Sequence, residues 1–141
     1  MNTYIDVTPE AGKEFFTKQH KGEIVMLNLL KYKKIADYSD IESLSPGKEI
    51  TGNEAYQLYI EHTLPILKKA GSTVLFYGKG DAFLIGPENQ KWDAVLLVKH
   101  KSVSKFMEFA QDPTYLAGAG HRKAALEDSR LLPINEASIA G

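Results

Sequence analysis

Two segments of the chain, residues 24–32 and 92–100, have the composition of β-strands and are apolar on both of their sides. Successive residues of a strand point to opposite faces of a sheet. A sheet with helices on one face only should alternate apolar and polar residues, and these segments do not. Both faces of the predicted sheet therefore need cover. One face would carry Val25, Leu27, Leu29, Val95 and Leu97, and the other Met26, Leu30, Ala94, Leu96 and Val98.

Three further strands are predicted at 73–77, 82–85 and 129–134, where short apolar or β-branched runs are bounded by turn residues. A Gly-Lys-Gly-Asp turn at 78–81 would join the first two of these strands. The elements then follow in the order strand, helix, two strands, helices and strand, behind a helical N-terminal extension. This order predicts an α+β protein with the ferredoxin-like sandwich fold, βαββαβ.

The clearest helix is predicted from a capping-box pair, Thr51 and Glu54, to a C-terminal Gly71. Pro65 lies inside this helix and should remove the hydrogen bond to the Glu61 carbonyl and bend the helix. An inner stripe of apolar and aromatic side chains predicts which side of the helix is buried. The stripe contains Tyr56, Tyr59, Ile60, Thr63, Leu67 and Ala70.

Two more helices are predicted between the last two strands. Ser102 would cap the first of them. Asp112 followed by Pro113 would end that helix and cap the next one, with proline in its first position. Gly118 and Gly120 weaken the middle of the second helix, which favours its division into two pieces.

The N-terminal extension is predicted to hold a short helix. Thr8 can cap it, and Pro9 suits its first position. Phe15 and Phe16 would anchor the helix on the domain, and Gly22 would end it.

The chain divides into an extension at 1–22, a domain at 23–134 and a tail at 135–141. Within the domain, residues 33–50 are polar and irregular. A connection of this length is uncommon in a compact domain and is typical of a lid or a mobile insertion.

The predicted helices suffice to cover one face of the sheet. A second copy of the sheet is the simplest cover for the other face, so we expect a homodimer that packs sheet against sheet. The alternative is a monomer in which the N-terminal helix covers the second face.

Composition excludes several classes of partner. A net charge of −1 and a pI near 6.4 give no basic surface for nucleic acid or an anionic membrane. No apolar run approaches the length of about 20 residues that spans a bilayer. The N-terminus lacks the pattern of a secretory signal, and the absence of cysteine excludes disulfides and thiolate chemistry. A cytoplasmic protein is the expectation.

Familiar catalytic motifs are absent from the sequence. The histidines His20, His62, His100 and His121 show no spacing of metal ligands. No Gly-x-Ser-x-Gly motif of a serine hydrolase and no dinucleotide or P-loop fingerprint occurs. We therefore expect neither a metal site nor a tightly bound cofactor.

Arg122 is the strongest pointer to a site, because it falls on an otherwise apolar side of the second late helix. A cation there needs a carboxylate, a carbonyl or an anionic ligand as partner. Asp93 or Asp128 could form a structural ion pair with it, or a ligand could bind it, and the sequence leaves both open. The stripe comprises Tyr115, Ala119, Arg122 and Leu126.

Asn28 and His62 are the other candidate polar residues. An amide inside a buried strand must hydrogen-bond either neighbouring backbone or a substrate oxygen, and Asn28 is such an amide. His62 lies beside the bend expected at Pro65 and could act as a general base, although a lone histidine is more often structural.

Several motifs together resemble a known family, and the resemblance extends from about Gly22 to Pro133. The chain is similar to the domain-of-unknown-function family 1330, within the dimeric α/β-barrel superfamily. The resemblance implies a ferredoxin-like fold, a dimer whose sheets meet as a barrel, and a pocket between sheet and helices. Its superfamily relatives include cofactor-free monooxygenases, isomerases and haem enzymes. The motifs are Asn28-Leu29-Leu30-Lys31-Tyr32, Trp92-Asp93, Asp112-Pro113-Thr114-Tyr115, His121-Arg122 and Asp128-Ser129-Arg130-Leu131.

Two hypotheses of function follow. In the first, the protein is a cofactor-independent monooxygenase or isomerase acting on a small aromatic or oxo compound. Asn28 and Arg122 would hold an oxyanion and His62 would move a proton. In the second, the protein is a non-catalytic dimeric module that binds a metabolite or another protein. The pocket walls of the first hypothesis would be Tyr59, Trp92, Phe109 and Tyr115.

Overall fold

A computed structural model describes residues 2–18 and 20–139 of the chain. These residues form five helices and four strands, with one additional 3-10 turn at Glu42–Leu44. The elements are α1 (Pro9–Thr17), β1 (Ile24–Tyr32), α2 (Gly52–Lys69), β2 (Thr73–Lys79), β3 (Ala94–His100), α3 (Val103–Ala110), α4 (Pro113–Gly118), α5 (Gly120–Ala125) and β4 (Leu126–Ile134).

The four strands form one antiparallel sheet in the order β2-β3-β1-β4. The two strands that begin and end the βαββαβ unit, β1 and β4, are neighbours, and the hairpin of β2 and β3 lies beside β1. This is the topology of a ferredoxin-like sandwich, so the predicted α+β class and fold are confirmed. The sheet is open and has β2 and β4 at its edges.

Helix α2 follows its predicted capping. The Thr51 hydroxyl accepts a hydrogen bond from the Glu54 amide at 3.0 Å, and the Glu54 carboxylate accepts one from the Thr51 amide at 3.0 Å. Pro65 lies inside the helix, yet the helix continues to Lys69. Its buried residues lie on one side, in near agreement with the predicted stripe. They are Gly52, Ala55, Tyr56, Tyr59, Thr63 and Leu67.

The segment 33–50 packs against the domain by backbone hydrogen bonds. The amides of Lys33 and Asp37 donate to the carbonyls of Ala125 and Ala124 at 2.8 and 2.9 Å, which satisfies the C-terminal end of α5. Tyr38 in this segment is buried. The segment is therefore packed on the domain, unlike the predicted lid or mobile insertion. It connects the start of α2 to the end of α5 by hydrogen bonds.

The predicted strand at 82–85 is wrong. Residue Ala82 forms only an isolated bridge with Lys91, and Leu84 and Ile85 are almost fully exposed. Strand β3 pairs directly with β2, so these residues belong to the connection that joins the two strands. An apolar run without a neighbouring strand has no ladder to join.

The boundary between the last helix and the last strand also differs from the prediction. Helix α5 ends at Ala125, and β4 begins at Leu126 rather than at Ser129. Leu126 pairs with Tyr32, beyond an irregularity in the register of β1 and β4. Leu126 is buried, as the stripe predicted, but as a strand residue.

Helix α1 lies on the same side of the sheet as the other helices. The Thr8 hydroxyl caps it as predicted, but the helix ends at Thr17 and Phe16 is 59% exposed, so Phe16 is not an anchor. Phe15 packs edge-on against Phe106 of α3 with ring centroids 6.0 Å apart. The alternative monomer, in which this helix covers the second face of the sheet, is therefore wrong.

The second face of the sheet is bare in a single copy of the chain. The strand register places Leu27 opposite both Leu97 and Leu132, and Leu97 opposite Phe76. These four residues form an apolar row across all four strands, with Phe76 and Leu132 more than half exposed. The helix-covered face carries the core instead, with Leu30, Leu96 and Val98 packed beneath α2.

Candidate functional site between the sheet and the helices

Arg122 on α5 reaches into the layer between the helices and the sheet. Its guanidinium donates to the carbonyl of Ile5 at 2.7 Å through Nη1 and to the hydroxyl of Ser129 at 3.3 Å through Nη2. Neither predicted ion pair forms, because Asp93 accepts from the Tyr32 amide and Asp128 pairs with Arg130. Within residues 2–18 and 20–139, Arg122 forms no ion pair with a carboxylate. Its described partners are neutral.

Arg130 is the other arginine of the sequence and lies in a different setting. Its Nη1 contacts Asp128 Oδ1 at 2.6 Å, and its guanidinium lies over the rings of Tyr4 and Trp92, at 4.8 and 5.1 Å from their centroids. The charge of Arg130 is thus neutralised by a carboxylate. Trp92, a predicted pocket wall, is buried beneath this pair.

The other three predicted pocket residues come together as one group. Tyr59 and Tyr115 join their hydroxyls at 2.9 Å, and the rings of Phe109 and Tyr115 lie 4.4 Å apart. Tyr56 extends this group, with its ring 5.2 Å from that of Tyr59. We call Tyr56, Tyr59, Phe109 and Tyr115 the aromatic cluster. It fills the space between α2, α3 and α4.

Arg122 acts electrostatically on the aromatic cluster. Burial raises the pKa of both Tyr56 and Tyr59, since the charged phenolate loses its hydration, while the positive charge of Arg122 lowers both pKa values in part. Burial is the larger effect, so both hydroxyls keep their protons at neutral pH. They are hydrogen-bond donors rather than bases.

Asn28 points to the helix-covered face from the middle of β1. Its Nδ2 donates to the Leu96 carbonyl at 3.1 Å and, weakly, to the Met26 carbonyl at 3.4 Å. Among the residues that the structure describes, no group donates to its Oδ1. Asn28 lies two residues from Leu30, whose neighbour on β4 is Ser129. Asn28 and the hydroxyl that Arg122 contacts therefore lie on the same face of adjacent strands.

His62 fastens α4 to α2. A carbonyl oxygen only accepts, so the 2.6 Å contact between His62 Nε2 and the Thr114 carbonyl is a hydrogen bond donated by the imidazole. A methyl group on Gly118 would lie 2.5 Å from His62 Cγ, so glycine is needed for the two helices to approach. Only Nδ1 of His62 remains to accept a proton.

Two other histidines have structural partners that the sequence did not reveal. His121 Nδ1 lies 2.6 Å from the Tyr38 hydroxyl, which attaches the segment 33–50 to α5. His100 Nδ1 lies 2.8 Å from the Ser72 hydroxyl, and burial lowers the pKa of His100 to about 4. The sequence does indicate that His100 is buried, because it lies at an inward position of the alternating strand β3.

Helix α2 borders two of the cavities that the described residues form. One of about 190 Å³ lies between α2 and α3 and includes Phe109. The other, of about 170 Å³, lies between α2 and the sheet, and we call it the α2–β2 groove. Asn28, His62 and Arg122 line neither of them. The residues that line the α2–β2 groove are Gln57, Ile60, Leu64, Val74, Tyr77 and Leu96.

No group of three or more histidine, aspartate or glutamate side chains comes together in a way that could hold a metal ion, in the part of the chain that the structure describes. Over the same residues, no helix is long and apolar enough to cross a membrane.

Two solved structures share the fold over nearly the whole chain. The methylated RPA0582 protein is 35% identical, with a TM-score of 0.88 and 100% of each chain covered. The RPA0582 protein of unknown function from Rhodopseudomonas palustris is also 35% identical, with a TM-score of 0.86 and 97% of this chain and 99% of that chain covered. A dimeric protein of unknown function with a ferredoxin-like fold from Bacteroides fragilis is 11% identical over 81% of this chain and 96% of its own, with a TM-score of 0.49.

Sequence comparisons point to one family. No curated protein matches the chain. The family model described as a domain of unknown function, DUF1330, matches residues 47–134, which include α2 and all of the strands except β1. The chain therefore belongs to the DUF1330 family.

Proposed function

We propose that the protein is a homodimer that binds a small anionic aromatic or oxo compound beside Arg122 and stabilises an oxyanion there. The observation that carries this proposal is the charge of Arg122, which has only neutral acceptors among the described residues. A half-buried cation favours an anionic partner, because its lost hydration is then replaced by a charge-assisted hydrogen bond.

The guanidinium has capacity for such a ligand. It carries five N–H donors, and the carbonyl of Ile5 and the hydroxyl of Ser129 use two of them. The protonated hydroxyls of Tyr56 and Tyr59 can add hydrogen bonds to the same oxygen. Donors held in place before the reaction are the most effective way to stabilise a developing oxyanion.

The reaction class proposed is that of a cofactor-independent isomerase or monooxygenase. Both reactions of an oxo or phenolic compound pass through a resonance-stabilised anion of the substrate, and a fixed cation stabilises that anion. Asn28 would orient the substrate by accepting a hydrogen bond from a substrate hydroxyl at its Oδ1, because its Nδ2 already donates to the Leu96 carbonyl. His62 would move the proton through Nδ1, since its Nε2 is bound to the Thr114 carbonyl.

The dimer proposed has its two sheets packed face to face, as in the dimeric α/β-barrel superfamily that the sequence resembles. Support comes from the bare apolar row of Phe76, Leu97, Leu27 and Leu132. A contiguous apolar surface of this kind is unusual in a monomer and is typical of an interface. A two-fold axis would cover the row with its own copy.

The second candidate function is a non-catalytic dimeric module that binds a metabolite. It is favoured by one observation: both Asn28 Nδ2 and His62 Nε2 already bond protein carbonyls. In this case the residues would hold the fold, and Arg122 alone would contact the ligand.

Binding is tested by thermal unfolding with benzoate, and with benzamide as its neutral counterpart. At ten times its Kd, benzoate should raise the Tm of the wild-type protein by about 3–5 °C. Arg122→Met should abolish this rise. Arg130→Met is the matched control, since Arg130 already has a carboxylate partner, and it should keep the rise. Equal responses to benzoate and benzamide would exclude an anion site at Arg122.

Catalysis is tested separately with phenylpyruvate, an anionic aromatic oxo compound. Proton NMR in D₂O measures how fast its CH₂ protons exchange with solvent. If the protein is an enzyme, the CH₂ protons should exchange faster than in buffer alone. This acceleration should be lost in Arg122→Met and kept in Arg130→Met. A bound phenylpyruvate with unaltered exchange would support the non-catalytic module.

A further inference from the structure

The α2–β2 groove has the size and surface of a site for a single aromatic ring. Its volume is about 170 Å³. An apolar cavity of about 150 Å³ is enough to admit benzene in a protein core. Four of its six lining side chains are aliphatic: Ile60, Leu64, Val74 and Leu96.

The absence of charged side chains in the groove disfavours ionic ligands. None of its six lining residues is charged. A carboxylate placed between aliphatic side chains would lose hydration and gain no cation in return, which is costly. The groove therefore suits a neutral molecule, in contrast to the setting of Arg122.

Polar groups meet at Tyr77, on the sheet side of the groove. The Tyr77 hydroxyl lies 2.7 Å from the Tyr32 hydroxyl and 3.4 Å from Gln57 Nε2. The amide nitrogen of Gln57 can only donate, so Tyr77 accepts a weak hydrogen bond from it; the same nitrogen also donates to Asn53 Oδ1 at 3.4 Å. Burial and the contact with Tyr77 raise the pKa of Tyr32, so that Tyr32 also stays protonated.

This arrangement leaves one hydroxyl proton free. Two phenols joined by one hydrogen bond hold two protons, and the bond between them uses only one. Tyr77 already accepts from Gln57, so a second bond accepted from Tyr32 would direct its own proton outward. The Gln57 carbonyl oxygen supplies an acceptor beside it. The groove thus presents a donor and an acceptor next to an apolar slot.

We propose that the α2–β2 groove is a second binding site and takes a neutral single-ring phenol. The ring would lie between the aliphatic side chains of α2 and the sheet. The phenolic oxygen would accept from the tyrosine pair, and its proton would be donated to Gln57 Oε1. This site does not depend on Arg122 or on the function proposed for it.

The test is isothermal titration calorimetry with 4-methylphenol, and with toluene as the probe that lacks the oxygen. The wild-type protein should bind 4-methylphenol more tightly than toluene. Tyr77→Phe removes one oxygen from a part-exposed side chain and should weaken 4-methylphenol binding roughly fivefold, the effect of one neutral hydrogen bond. Toluene binding should not change.

Leu64→Trp tests the position of the site. Leu64 is partly exposed at the groove, so an indole there should fill the slot and abolish 4-methylphenol binding. Leu116→Trp places the same side chain at an exposed position of α4 and should bind like the wild type. Arg122→Met should also bind 4-methylphenol like the wild type.

Three results would overturn the proposal. They are unchanged binding in Leu64→Trp, equal affinities for toluene and 4-methylphenol, and loss of 4-methylphenol binding in Arg122→Met. The last result would move the phenol to the site beside Arg122. If Leu64→Trp does not fold, as judged by circular dichroism, the comparison of Tyr77→Phe with the wild type decides alone.

Discussion

The two faces of the sheet carry similar apolar side chains, but only one of them is covered within a single copy of the chain. On β1, Leu30 is fully buried beneath the helices, whereas Leu27, three residues earlier, lies on the bare face. Burial of an apolar side chain stabilises by about 1.5–3 kcal/mol whichever element covers it. Because apolar side chains point to both faces of the sheet, both faces have to be covered, and the helices cover only one of them.

The largest effect is expected at the bare face, from Leu27→Lys. A lysine at the centre of the apolar row would place two like charges near the proposed two-fold axis. The variant should then be a monomer in analytical ultracentrifugation, whereas we expect the wild type to sediment as the proposed dimer. Leu84→Lys adds the same charge at a fully exposed position of the connection between β2 and β3 and should leave the dimer intact. A dimeric Leu27→Lys variant would show that the sheet face is not the interface.

The covered face is tested by Leu30→Ala. Leu30 is fully buried in the core cluster, so truncation leaves a cavity and should reduce the free energy of unfolding by about 2–5 kcal/mol. Urea denaturation measures the loss, and it should not depend on protein concentration. The loss in Leu27→Ala should depend on concentration, because Leu27 would be fully buried only in the proposed dimer. The same concentration dependence at both positions would contradict the difference between the two faces.

Much of this fold could be predicted from local sequence. The apolar alternation of β1 and β3 and the capping box of α2 are encoded within a few residues. Strand β1 and the capping box appear where predicted, and β3 begins at Ala94, two residues later than predicted. The apolar run at 82–85 was misassigned because pairing, not composition, decides whether a segment is a strand. Strand β2 pairs with β3, and the run at 82–85 stays exposed.

The candidate site was less predictable, because its partners are far apart in sequence. The stripe rightly placed Arg122 on an inner side, yet its strongest described hydrogen bond goes to the carbonyl of Ile5, 117 positions away. Nothing in the neighbourhood of His62 shows that it bonds Thr114. The Tyr32–Tyr77 pair also joins the ends of two strands that are not neighbours in the sheet.

The third prediction concerns the pH dependence of the free energy of unfolding and the last two residues of β3. His100 is buried on the covered face, whereas the preceding Lys99 lies on the bare face in an exposed ion pair with Glu23. The pKa of His100 is lowered by burial to about 4 from its ordinary value of 6.5. The folded state thus binds its proton less readily than the unfolded state, and the stability present above pH 6.5 is lost as pH falls towards 4.

The size of this loss follows from the shift in pKa. Each pKa unit corresponds to roughly 1.4 kcal/mol, so the free energy of unfolding should fall by up to about 3 kcal/mol between pH 6.5 and 4. Urea denaturation across this range measures it. His100→Gln keeps a polar side chain without titration and should remove most of this pH dependence. A smaller slope of the same sign should remain, because burial also lowers the pKa of His121. Lys99→Gln is the control on the other face and should not change the slope. A slope that persists undiminished in His100→Gln would assign it to other groups.

The smallest expected effect on stability comes from the removal of one buried hydroxyl group under the covered face. Thr63 on α2 is buried, and its Oγ1 has no hydrogen-bond partner within the described part of the chain. Valine has nearly the same shape and the same branching, so Thr63→Val removes an unsatisfied polar atom without creating a cavity. We expect a gain of about 1 kcal/mol in urea denaturation. Thr73→Val makes the same change at an exposed position of β2, opposite Lys99, where the hydroxyl is open to solvent. It should not stabilise the monomeric Leu27→Lys background. Thr63→Val should stabilise that background by the same amount as it stabilises the proposed dimer, because its benefit arises inside one copy of the chain.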